Sequence, residues 1–277
     1  MRNVLEKLIA GKWIAGPDVE DAIERSMALN KLGIRTIINY LGEEFKSEDK
    51  VEDAMATYAK LIKEIKRRRV EGDISVKITQ LGLRIGKAYA TKNYLKLASL
   101  AKPIFLWLDM ESSDTVDATI GAYEKALHLG NVGICLQAYL KRSYGDMKRL
   151  VKKGGVIRLV KGAYKEKPEI AFQNKQAVNA NFEFLMNYLF KHASKFTLAT
   201  HDKNMIEKAL LLNRSYHRQV TYAFLNGIRG SYARMLAERG ERVAVYVPFG
   251  KLWADYAIRR MREQGHAMLV LRSLFGS

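Results

Sequence analysis

The 277-residue chain carries 47 Lys and Arg against 29 Asp and Glu, a formal net charge of +18, and 48% of its residues are apolar. That balance excludes an intrinsically disordered chain, and the absence of any run of about 18 uncharged apolar residues excludes a membrane-spanning helix. One cysteine, Cys135, excludes an intrachain disulfide, and the opening "MRNVLEKLIAGKWIAG" has a charge inside its apolar run instead of a signal-peptide layout, so a cytoplasmic protein is expected.

No Pro-, Gly- or Ser-rich linker divides the sequence, which favours a single domain over residues 1–277. The excess positive charge suits an anionic membrane surface, an acidic partner or nucleic acid. Its densest cluster, "KEIKRRRVEGD" at 63–73, closes a helical pattern, where basic residues also suit the helix dipole. Zinc-finger spacing and basic heptads are absent and aromatics are not interleaved with the basic residues, so nucleic acid is not the expected partner.

Short apolar runs rich in β-branched residues recur in chain order at 34–40 ("IRTIINY"), 74–79 ("ISVKIT"), 104–109 ("IFLWLD"), 132–137 ("VGICLQ"), 156–161 ("VIRLVK"), 195–200 ("KFTLAT"), 219–224 ("QVTYAF") and 242–247 ("RVAVYV"). Helical periodicity marks 50–68, 114–128, 176–192, 204–213, 231–239 and 250–263. Strand alternating with helix predicts parallel strands with helical crossovers, because parallel neighbours need a long connection. Eight such runs predict a closed (β/α)8 TIM-type barrel. The open doubly wound sheet fits less well, because neither G-x-G-x-x-G nor a phosphate loop is present.

A barrel gathers its chemistry at the C-terminal ends of its strands. Those ends carry Glu43; Lys77; Asp109 and Glu111; Gln137 and Tyr139; Arg158, Lys161 and Tyr164; Thr200, His201 and Asp202; Asn226; and Tyr246. Lys77, Asp109 and Arg158 interrupt runs that are otherwise apolar, where an unpaired charge would cost several kcal/mol, so they should pair with each other or with a ligand. "RLVKGAY" offers a small-residue strand exit at Gly162 and Ala163 that would admit a flat, anionic or electron-rich ligand close to the backbone. The last segment, "YVPFGKLWADYAIRRMRE", places Tyr256, Arg259, Arg260 and Glu263 on one helical face. The histidines and Cys135 lack metal-ligand spacing, so no metal is expected, and no nucleophile elbow is present. A carboxylate pair drawn from Asp109, Glu111 and Glu263 is poorly suited to glycoside hydrolysis among so many cations.

The segments "SVKITQLGL", "LWLDMESS", "LQAYLKR", "RLVKGAY", "ATHD", "YVPFG" and "YAIRRMRE", in this order, resemble the catalytic domain of FAD-dependent proline dehydrogenases, closest to the short single-activity bacterial and archaeal form. The resemblance implies a distorted (β/α)8 barrel holding FAD at the strand ends. It implies oxidation of L-proline to Δ1-pyrroline-5-carboxylate, the first step of proline catabolism to glutamate. Hydride passes to the flavin N5 and electrons then go to a membrane quinone, a setting that suits a cytoplasmic protein peripheral to the membrane. By the same resemblance Arg259 and Arg260 clamp the substrate carboxylate with help from Lys77, and Tyr246, Tyr256 and Leu225 wall the ring. Asp109 pairs with an arginine to order the site, and Glu43 closes over the substrate. Met110, Gln137, Arg158, Val160, Lys161, Gly162, Ala163, Tyr164, Ala199, Thr200, His201, Asp202 and Glu263 match flavin-contacting positions, with Arg158 near the N5 and N1 edge. Asn226 and Ala223 stand where close relatives carry larger side chains. A flavin-free lyase or aldolase using Lys77 or Lys161 as a Schiff-base lysine is the alternative.

Overall fold

The β-branched runs become parallel strands closed into a barrel in sequential order. They are β1 (Arg35–Tyr40), β2 (Gly72–Lys77), β3 (Leu106–Asp109), β4 (Val132–Gln137), β5 (Val156–Val160), β6 (Lys195–Ala199), β7 (Gln219–Leu225) and β8 (Arg242–Phe249). The computed structural model describes residues 13–252. β1 closes the barrel by pairing with β8, with Arg35 opposite Ala244 and Tyr40 opposite Phe249.

Helices α1 (Val19–Asn30), α2 (Glu48–Arg68), α3 (Lys87–Ala101), α4 (Val116–Ala126), α5 (Ser143–Lys152), α6 (Lys175–His192), α7 (Lys203–Tyr216) and α8 (Gly230–Glu238) form the outer layer. Helix α2 shows why such segments fold locally. Its first turn carries Glu48 and Asp49, its last turn Lys66, Arg67 and Arg68, and its buried stripe runs through Val51, Ala54, Tyr58, Leu61, Ile62 and Ile65. It stops at Arg69, whose φ of 53° is left-handed.

Periodicity passed over α1, α3 and α5. The buried stripe of α1 includes Ala22 and Ser26, and that of α3 includes Ala90, Thr91, Ala98 and Ala101, residues too small or polar to stand out as an apolar stripe. Helix α5 spans only ten residues. Helix α1 precedes the first strand yet packs on both β1 and β8, filling the ring position beside the closing strand pair. The Asp21 carboxylate accepts from the Asp18 N–H at 2.9 Å and caps its start. From its middle, Arg25 donates through Nε and Nη2 to Asn226 Oδ1 at 3.0 and 2.9 Å, tying α1 to the exit of β7.

The main apolar core lies between strands and helices, and a second cluster of Ile37, Trp107, Ala223 and Ala244 packs separately from it. Strand β2 begins at Gly72 and ends at Lys77, so Thr79 belongs to the loop beyond it, and β3 begins at Leu106, two residues later than the apolar run suggests. Residues 250–252 are not helical, and 253–263 of the expected final helix, with Tyr256, Arg259, Arg260 and Glu263, lie outside the described residues. No helix among the described residues is long and apolar enough to cross a membrane.

Candidate active site

Lys77 and Asp109 are the last residues of β2 and β3 and stand opposite each other in register. Lys77 Nζ donates to Asp109 Oδ2 at 3.1 Å. On the other oxygen, Ser75 Oγ donates to Oδ1 at 2.6 Å, and Arg158 Nη2 donates both to that oxygen and to Ser75 Oγ, the latter at 3.2 Å. Tyr246 OH, from β8, donates to Asp109 Oδ2 at 2.7 Å. Side chains of β2, β5 and β8 thus converge on the carboxylate that ends β3, and the three charges that interrupt apolar runs pair with one another, leaving one net positive charge.

Burial by itself would raise the Asp109 carboxyl, but Lys77 and Arg158, aided by hydrogen bonds from Ser75 and Tyr246, hold it well below the usual carboxylate range. Burial likewise opposes the Lys77 charge, and Asp109 prevails, keeping the ammonium above the ordinary lysine range. Lys77 is therefore a fixed cation, unsuited to act as the free amine of a Schiff-base lysine. Lys161, the other candidate, donates to Asn179 Oδ1 at 2.6 Å and to Asp202 Oδ2 at 2.8 Å.

Several buried polar atoms at these strand ends lack a hydrogen-bond partner, the Tyr139 hydroxyl among them. Arg158 Nη1 and Gln137 Oε1 make no hydrogen bond, although Gln137 Nε2 donates to Met110 O at 3.2 Å. Orphaned buried groups are costly and uncommon in folded proteins, and one donor and one acceptor on adjacent strands suit a heteroaromatic ring bearing both kinds of group. Val160 pairs with Gln137 and Ala199, so the ends of β4, β5 and β6 form one continuous rim. Thr200 and His201 follow β6 and are buried, and Thr200 Oγ1 accepts from the Asp202 N–H at 3.2 Å. These residues fit a flavin.

Gly162 is needed for a reason other than an approaching ligand. Its φ is +115°, and a Cβ there would lie 2.1 Å from Cδ1 of Tyr139, whose N–H donates to Lys161 O at 2.8 Å. The small residue admits the Tyr139 ring, and Gly162 and Ala163 face solvent.

The rim continues over β1 and β2. Tyr164 OH donates to Glu43 Oε2 at 3.2 Å. The loop carrying Glu43 is anchored by its neighbours: the Glu44 N–H donates to Thr79 Oγ1 at 2.9 Å, the Phe45 N–H to Thr79 O at 3.2 Å, and Arg84 bridges Glu44 and Asp114. Thr79 in turn donates its N–H to the buried Glu111 at 3.1 Å. Burial raises the Glu111 carboxyl above its usual range. Leu225 ends β7 opposite Tyr246.

Ser75, Trp107, Thr79 and Asn179 were missed in the sequence. Ser75 and Trp107 precede Lys77 and Asp109 by two residues, and strand alternation puts residues two apart on the same face, so a signal existed. Thr79 and Asn179 act through loop and helix contacts that no local pattern announces.

The fold is a closed parallel α/β barrel, and its candidate active site is the buried Lys–Asp–Arg cluster at the C-terminal ends of the strands. The family model described as proline dehydrogenase matches residues 22–272, so the chain belongs to the proline dehydrogenase family. It is 31% identical over 275 residues to proline dehydrogenase 1 of Bacillus subtilis subsp. natto, covering 97% of this chain and 91% of that protein. It is 32% identical over 266 residues to a proline dehydrogenase of Deinococcus radiodurans, covering 92% and 86%. Among solved structures, proline utilization A from Bdellovibrio bacteriovorus, inactivated by N-propargylglycine, superposes with a TM-score of 0.86 at 22% identity. That match covers 97% of this chain and 34% of the other, so the chain spans about a third of that protein, and the likeness concerns the barrel fold.

Proposed function

We propose that the protein oxidises L-proline to Δ1-pyrroline-5-carboxylate at the mouth of its barrel, with FAD as the bound acceptor. The observation that carries this reading is the convergence of Lys77, Arg158 and Tyr246 on the Asp109 carboxylate in a chain of the proline dehydrogenase family. When bound, FAD would supply the two-electron acceptor that the oxidation of proline needs.

The chain's own residues do the rest. Lys77, held as an ammonium by Asp109, supplies a fixed positive charge for the substrate carboxylate; the motif match assigns the remaining carboxylate contacts to Arg259 and Arg260, outside the described residues, whose guanidiniums are chemically suited to them. Tyr246, its hydroxyl committed to Asp109, presents its ring to the substrate beside Leu225. Glu43 closes over the bound substrate. Arg158, with Nη1 uncommitted, would help to hold the flavin, and its charge would favour the reduced, anionic form. Gln137 would supply the matching acceptor, and Met110, Val160, Lys161, Gly162, Ala163, Tyr164, Ala199, Thr200, His201 and Asp202 would line the cofactor, a role the motif match extends to Glu263 outside the described residues. Positioning supplies much of the rate, and the unprotonated amine of proline needs no strong base from the protein.

Electrons leave to a membrane quinone in this reading, and the basic surface draws a cytoplasmic protein to anionic lipid. Purified protein should be yellow, with absorbance near about 450 nm that bleaches on anaerobic addition of L-proline. A colourless protein, or one whose flavin proline leaves oxidised, would overturn the assignment.

A further inference from the structure

We propose that Trp107 is a positioning residue for the electron-accepting end of the site: its indole supports the Arg158 guanidinium from the barrel interior and aims its uncommitted donor at the cofactor. This rests on the reading of Arg158 as the cation that faces the flavin.

The indole occupies a space that other residues leave for it. Trp107 is 2% exposed and packs with Ile37, Ala223 and Ala244, so it is the one large ring of that buried cluster. In register it stands opposite Gly133 of β4, and a Cβ on Gly133 would lie 2.5 Å from the indole. Glycine within a strand weakens it, so a bare position that the indole fills indicates a fit between the two residues. The ring is also oriented, because Nε1 donates to Asp73 Oδ2 at 3.0 Å.

Register sets what lies nearer the mouth. Gly133 is level with Val156, and Arg158 lies two residues further along β5 toward the C-terminal end. The Arg158 guanidinium carbon stands 5.1 Å from the centre of the Trp107 ring and 5.6 Å from that of Tyr246. A desolvated guanidinium gains from an aromatic face at this distance. Nη2 is committed to Asp109 and Ser75, whereas Nη1 is buried without a partner. Asp109 and Ser75 hold one amino group of the guanidinium and the Cys135 thiol of the neighbouring strand is a further partner, which leaves the tilt of its plane to be limited by what packs on its faces. The rings of Trp107 and Tyr246 restrict that tilt, and Tyr246 is itself fixed through its hydroxyl to Asp109.

The test compares Trp107→Leu, Trp107→Phe and Arg158→Met in the FAD-loaded protein, measuring the flavin midpoint potential, kcat and KM for proline, and thermal unfolding. Trp107→Leu removes the aromatic face and should lower the flavin potential and slow flavin reduction roughly tenfold, with KM within about twofold. Trp107→Phe keeps a face and should recover most of both. A merely structural tryptophan would alter thermal unfolding in both variants while leaving the potential unchanged, and that result would overturn the proposal. If Arg158→Met itself leaves the potential unchanged, the cofactor reading of Arg158 fails instead. Should Trp107→Leu not fold, Gly133→Ala displaces the indole without altering it, and an unchanged potential there is equally fatal. Combining Trp107→Leu with Arg158→Met should add little to Arg158→Met alone, because both act through the same guanidinium.

Discussion

Asp109 accepts from Ser75, Lys77, Arg158 and Tyr246, and its two cationic partners are themselves largely buried. Removing one member of such a cluster leaves charge uncompensated in a poorly hydrated interior, so Asp109→Asn should cost about 3–5 kcal/mol at neutral pH, read by urea unfolding. The pH dependence follows from the directions of the shifts. Asp109 is depressed in the folded protein, so its contribution is present above the ordinary carboxylate range and is lost as pH falls through it toward the folded value. Lys77 is raised, so its contribution is complete below the ordinary lysine range and is lost only as pH climbs above it. The difference in stability between wild type and Asp109→Asn should therefore narrow below about pH 4 and stay level from about pH 6 to 9. A difference independent of pH down to 3 would contradict the pairing. Ser75→Ala removes one donor and one acceptor from the same cluster and should cost about 1–3 kcal/mol in the same assay.

At the scale of elements, the turn after β5 and the helix before β1 carry the sharpest expectations. Gly162→Ala imposes a side chain on a φ of +115° and on the ring of Tyr139, so a loss of about 2 kcal/mol or more is expected by thermal unfolding. Helix α1 covers the closing strand pair, and its Ile23 is fully buried. Ile23→Ala should cost about 2–5 kcal/mol, the range for a cavity inside a packed core, whereas an unimportant appendage would tolerate it. The strands themselves were legible from β-branched runs because strand preference is local. Helices α1 and α3 were not, since their buried faces use Ala, Ser and Thr against tightly packed strands. Only the barrel that presses on them shows these residues to be interior.

At the scale of the molecule, the helices carry their charge unevenly. Basic residues close α2 (Lys66, Arg67 and Arg68), α5 (Arg149 and Lys152) and α6 (Lys191), whereas α1, α3 and α8 have none in the last turn and α3, α6 and α7 begin on a lysine. The proposed attraction to anionic lipid predicts co-sedimentation with vesicles containing phosphatidylserine at low salt, falling away at about 0.5 M salt and absent with phosphatidylcholine alone. Equal binding to both vesicles, or to neither, would remove that part of the proposal.

The amino-acid sequence alone determined the number and order of the strands. It also determined that Lys77, Asp109, Arg158, Gln137 and Tyr246 stand at or near their C-terminal ends, because β-preference acts over a few residues and parallel strands bring like ends together. The motifs in chain order were enough to identify the family. Which charges meet was a matter for tertiary structure. Arg158 reaches Asp109 and Ser75 across strands separated by 49 and 83 residues in sequence, and Trp107 supports it from inside the barrel because Gly133 makes room. Such contacts depend on barrel closure, strand register and side-chain volume together, and none of those quantities is carried by a short window of sequence.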